Sequence, residues 1–185
     1  MPGWFSGWRA GQRSRKGTAA FVEALMREPA AEDVAWLAEH AASGDVDRAT
    51  WELRYARRAL GLLIAQRDAL DDRTASEAAR ALSAAMSADR HVAAAMVKVA
   101  DRQFNERLSA YREMMLLRGG TERLPERLGR ALLLLSGSVR MGSLELKGAA
   151  EIATRLLADI GEALEKSFGV VSLPEDLPPS AVRGR

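Results

Sequence analysis

Two histidines, His40 and His91, and an aspartate cluster, Asp68, Asp71 and Asp72, are the residues whose types best suit metal chemistry. Their spacing argues against it. Glu-x-x-His and His-x-x-x-His, which place two ligands on one helix face, are both absent. The D-x-x-D-D spelling is of a kind that can hold magnesium against a diphosphate, as in isoprenoid enzymes. Here the chain is short for that all-α fold and has no clear second acidic motif. The triplet also falls at a helix boundary, where acids act as caps. Both histidines read as solvated groups near helix ends, and no metal or cofactor is expected. The chain has no cysteine, which excludes thiolate ligands, disulfides and a cysteine nucleophile. Neither Gly-x-Ser-x-Gly nor a P-loop occurs. Gly3, Gly7 and Gly11 are evenly spaced but follow no strand, so a phosphate cradle is unsupported.

The next candidate is basic. Arg54, Arg57 and Arg58 cluster within five residues, and Arg54 and Arg58, four apart, share a helix face. With Tyr55 and Glu106 they could line an inter-helix pocket for a small ligand. The competing expectation is salt bridging within the helix and to neighbours, with Glu52, Asp47 and Arg48 at hand. No helix-turn-helix is evident, because the Ser43-Gly44 turn leads into an overlong, acid-starting helix.

The sharpest hint is the first seventeen residues. They carry Trp4, Phe5 and Trp8, then Arg9, Arg13, Arg15 and Lys16, with four glycines and no acid. Glycine content opposes a helix there. Rings beside cations suit an anionic bilayer interface. They equally suit an arm that seats Trp anchors in a protein partner. They also suit rings folded back on an apolar patch of this bundle or of a second copy.

What positions these residues is a set of helices. Asp45–Leu70 is the longest, 26 residues or roughly 39 Å at the usual rise. Its apolar seam reads Val46, Ala49, Leu53, Ala56, Leu60, Leu63 and Leu70, and its arginines take most of the remaining surface. Thr18 caps a first helix that runs to about Glu28, where Pro29 stops it. A second spans about Ala31–Ala42 and ends at Ser43-Gly44, after which Asp45 caps the third. Thr74-Ala-Ser-Glu77 fits a capping box for a fourth. A break near Asp89 is favoured over one unbroken helix to Arg118. Val92, Met96, Ala100, Phe104, Leu108, Tyr111 and Met115 then form another seam. Two more helices, Glu122–Leu135 and one ending at Phe168, complete an all-α antiparallel bundle of six to seven helices. The domain is expected over 18–169, between an arm at 1–17 and a proline-containing tail at 170–185. Ser43-Gly44-x-Val46 recurs as Ser136-Gly137-x-Val139, each between helices, so a duplicated hairpin is one reading and shared turn chemistry the other.

Composition agrees. Hydrophobic residues are 48%, aromatics 5% and charged residues 28% of 185 residues, mostly Ala, Leu, Arg and Glu. Net charge is only +2, so the pI near 9.3 is no general nucleic-acid signature. No apolar run nears the ~20 residues of a membrane span, and no signal-peptide pattern follows the basic N-terminus. The expectation is a cytoplasmic, non-enzymatic interaction protein, an accessory, scaffold or adaptor subunit attached through its arm to a protein or membrane surface, with homo-oligomers allowed. A ligand-binding sensor or all-α enzyme is the alternative. Nucleic-acid binding through the arm comes third.

Overall fold

The computed structural model of the chain describes residues 15–69, 71–117, 121–138 and 141–169, the side chains of Asp68 and Ala69 excepted. Among them are seven α-helices and no strand: α1 (15–25), α2 (Ala31–His40), α3 (Val46–Ile64), α4 (Asp72–Ser87), α5 (Val97–Leu116), α6 (Leu124–Leu135) and α7 (Ser143–Phe168). The helices pack on one another as an antiparallel bundle. α3 lies at its centre, against α2, α4, α5, α6 and α7. Its seam residues Ala49, Leu53, Ala56, Leu60 and Leu63 are buried, as the three-and-four spacing requires. Val46 is not: at 58% exposure it stands outside the core at the first turn.

Local chemistry sets the helix ends. Asp45 caps α3 by accepting the Arg48 N–H at 3.0 Å. Ahead of it, Ser43 (φ 56°) and Gly44 (φ 84°) take left-handed backbone, which terminates α2 and turns the chain. In the α6–α7 turn Gly137 does so (φ 90°), whereas Ser136, the counterpart of Ser43, is right-handed. The echoed sequence is thus closed by two different turns. α3 does not stay α-helical to Leu70: from Ala65 to Ala69 it widens into a π-helix, and Leu70 lies outside the described residues.

Two expected caps are displaced. Thr18 lies inside α1, buried, because the helix is already formed at residue 15 and ends at 25. α4 is capped not by Thr74 but by Asp71, whose carboxylate accepts the Arg73 and Thr74 N–H groups. An ionised carboxylate beats a hydroxyl as acceptor there. The break near Asp89 is present: residues 88–93 form an irregular linker, then a 3-10 turn Ala94–Met96 leads into α5.

α6 and α7 approach closely because Gly129 has no side chain; a Cβ there would stand 2.6 Å from the Ala149 carbonyl carbon. Most apolar seams close into one core, but that of α5 closes only in part. Phe104 and Tyr111 are buried, whereas Val92, Val99 and Ala100 are half-buried and Met96 is 50% exposed. No helix among the described residues lies over the head of α5. Among the described residues no helix is long and apolar enough to cross a membrane.

Candidate functional site

The open head of α5 faces Trp51 and Tyr55 of α3, and the ground around them is built from ionic pairs. α3 is amphipathic by sequence, yet Arg54 and Arg58 are buried. Each is paid for by a carboxylate from another segment. Arg54 donates from Nε (3.2 Å) and Nη2 (2.7 Å) to Glu28, in the α1–α2 linker. Arg58 donates to Asp89 at 2.8 Å, both side chains under 5% exposed. Arg57 reaches Asp159 on α7 at 3.0 Å. Glu52, also buried, accepts two bonds from Arg107 on α5. Salt bridging is therefore what these arginines do, though to other elements rather than to Asp47 or Glu52 on their own helix. It follows from burial: a guanidinium persists out of water only where a carboxylate meets it.

These pairs fix two rings. The Arg54 guanidinium lies 4.6 Å from the Trp51 ring centre and that of Arg58 6.0 Å. Trp51 packs 5.5 Å from Tyr55 at 36°, and the Tyr55 hydroxyl donates to Gln103 Oε1 at 3.1 Å. Against this floor the α4–α5 linker forms a wall, held by two anchors. Asp89 accepts the His91 N–H at 3.0 Å as well as Arg58, and His91 Nε2 lies 3.3 Å from Glu28 Oε1. The result is an open cavity of about 300 Å³, lined by Trp51, Tyr55, Val92, Met96, Val99 and Gln103.

Electrostatically the groove is settled rather than poised. Burial, with Glu52 and Asp101 adding to it, pushes the Tyr55 phenol up against the opposing pull of Arg107 and Arg58, so it stays protonated at neutral pH. The hydrogen bonds to Glu52 hold the Arg107 guanidinium above its ordinary value. Burial alone would raise the Asp89 carboxyl, but the His91 N–H and the Arg58 guanidinium outweigh it and the net displacement is downward. These groups hold one another in fixed charge states, and what they offer a visitor is a shaped, aromatic-floored recess.

Of the residues expected to form a pocket, Arg54, Tyr55 and Arg58 are brought together around Trp51. Arg57 is not with them; it lines a separate polar groove of about 400 Å³ between α1 and α7, beside Arg27, Asp159 and Lys166. Glu106 is exposed and paired with Arg107 at 3.2 Å, lining neither. Arg15 and Lys16 are exposed and already helical, so α1 includes part of the stretch read as an arm. Trp4, Phe5, Trp8, Arg9 and Arg13 lie outside the described residues. His40 is half-buried, its ring stacked 4.5 Å from that of Trp36 and its Nδ1 2.9 Å from the Trp36 carbonyl. Among the described residues no three His, Cys, Asp or Glu side chains are grouped as a metal site would need. A wider trough of about 610 Å³ between α6 and α7 is lined by Arg123, Glu126, Arg130 and Glu122, which pair with each other.

His91, Met96 and Gln103 belong to the groove and had no signal in sequence beyond the apolar spacing of Val92, Met96 and Ala100. Comparison with known proteins finds no family model, no curated protein and no solved structure that matches this chain.

Proposed function

We propose that the chain is a non-enzymatic helical interaction protein, an accessory, scaffold or adaptor subunit that attaches to a protein partner through its aromatic and basic N-terminal residues. The observation that carries this reading is the unclosed seam of α5. In a bundle most of whose seams close among the described residues, the head of this helix leaves Met96 half-exposed beside half-buried Trp51. Apolar surface left open around an aromatic residue is the anatomy of a binding hot spot. Trp4, Phe5 and Trp8 would supply further anchors, with Arg9, Arg13, Arg15 and Lys16 steering the encounter.

Native mass spectrometry of the untagged full chain tests the class of function. A protein mass retained on the chain, and lost in Trp4→Ala/Trp8→Ala, is expected. A non-protein mass at fixed stoichiometry would replace this reading with that of a ligand sensor or enzyme.

A further inference from the structure

We infer that the groove at the head of α5 receives an acidic protein segment presenting one large apolar side chain. This rests on the interaction reading above and names the partner's chemistry. The recess of about 300 Å³ is on the scale of a single bulky side chain, with aliphatic walls (Val92, Met96, Val99) over an aromatic floor. Gln103 and His91 are the polar groups at its edge.

Charge supplies the second half of the argument. Arg90 precedes His91 in the linker wall, and Lys98 and Arg102 lie in the first two turns of α5. All three are exposed, and no carboxylate pairs with them among the described residues. α5 also starts with no acid in its first turn and no side-chain cap, so the positive end of its peptide dipoles is uncompensated. The nearby acids are mostly spent. Glu28 is taken by Arg54 and His91, Asp89 by Arg58, and Glu52 by Arg107. Asp101 lines the neighbouring cavity with Leu62 and Phe104, yet its charge still reaches Tyr55 in the groove. Asp47, one turn before Trp51, is the exposed acid on the α3 side. Around the lining, the exposed cations Arg90, Lys98 and Arg102 thus exceed the acids Asp47 and Asp101, and acids flanking the visitor's apolar anchor complement that excess.

A recess suits a side chain better than a bilayer, which takes protruding rings, and Trp51 is half-buried rather than protruding. It suits a side chain better than a nucleobase, because Arg54 covers a face of Trp51 at 4.6 Å, where a base would stack.

The test is selection of a randomised dodecapeptide library on the immobilised full-length chain. Selected sequences should place Asp or Glu around one large apolar residue. Their synthetic copies should bind Met96→Glu about tenfold or more weaker than wild type, as for a lost hot spot. Ala93→Trp, at an exposed wall position, should block binding without touching the core. Lys98→Glu/Arg102→Glu should weaken binding at low salt, and the loss should shrink as salt rises. Trp4→Ala/Trp8→Ala should bind these peptides as wild type does, so failure of the arm reading is told apart from failure of this one. Recovery of no binders, of basic or uncharged sequences, or of peptides indifferent to Met96→Glu and Ala93→Trp overturns the inference. So does tighter, Met96-dependent binding of phosphatidylserine vesicles or single-stranded DNA.

Discussion

Asp89→Asn isolates the buried charge pair that ties the α4–α5 linker to the central helix. Arg58 and Asp89 are 2.8 Å apart, with side chains 3% and 4% exposed. The amide removes one charge and almost no volume, and it keeps an oxygen for the His91 N–H. What remains is a buried guanidinium with no counter-charge, a loss that costs about 3–5 kcal/mol. Domains of this kind are stable by only about 5–15 kcal/mol. With a urea m-value of about 2 kcal/mol/M, the midpoint should fall by about 1.5–2.5 M. Urea titration of the full chain at pH 7, followed by helical circular dichroism, measures it. Arg58→Met/Asp89→Asn removes both charges and should recover most of the loss. The pH limb has a fixed sign. The folded Asp89 carboxyl lies below its ordinary 3.8, so its contribution is complete above that value and fades as pH falls through the folded-state value. Wild type should therefore lose more stability on acidification than Asp89→Asn does. A midpoint for Asp89→Asn within about 0.3 M of wild type would refute the claim that this pair holds the linker.

Three further substitutions probe the same packing. Tyr111 is 1% exposed and its hydroxyl has no hydrogen-bond partner among the described residues, so Tyr111→Phe should be neutral or stabilising by up to about 1 kcal/mol; a loss of that size in urea titration would reveal a partner for the hydroxyl. Asp71→Ala removes the cap of α4 and should cost about 1 kcal/mol at pH 7; since the Thr74 N–H and hydroxyl hold the Asp71 carboxyl low, the difference from wild type should vanish in acid below 3.8. Gly129→Ala and Gly161→Ala are the same change in two helices with opposite expected signs. At Gly161 nothing lies within 4 Å and alanine should add about 0.5–1 kcal/mol, whereas at Gly129 the new methyl meets the α7 backbone and should cost about 1–3 kcal/mol. Equal thermal midpoints for the two variants would contradict the close α6–α7 approach.

The helices were legible in the sequence and the ion pairs were not, and one physical reason covers both. A helix is specified by neighbours. The spacing of Ala49, Leu53, Ala56 and Leu60 predicts which face α3 buries, Asp45 predicts where it starts, and the Asp89 region predicts where α4 stops. Even the local errors were local contests: Asp71 and Thr74 are both capping residues, three positions apart, and the carboxylate won. Arg54 and Arg58 obey a different logic. On a helical wheel they fall beside the apolar seam, and an isolated arginine belongs in water. They are inside because Glu28 and Asp89, 26 and 31 residues away, are delivered by other segments to meet them. No window short enough to show a period contains both partners. The same holds for Glu52 with Arg107 on α5 and for Arg57 with Asp159 on α7. α3 is thus joined by charge to the α1–α2 linker, the α4–α5 linker, α5 and α7. The groove follows from that joining. The two linkers anchored to Arg54 and Arg58 meet through Glu28 and His91, and the second of them is the wall that stands over Trp51. The candidate site is where long-range pairs set the distance between two helices, so its residues become recognisable as a group only after the chain has folded.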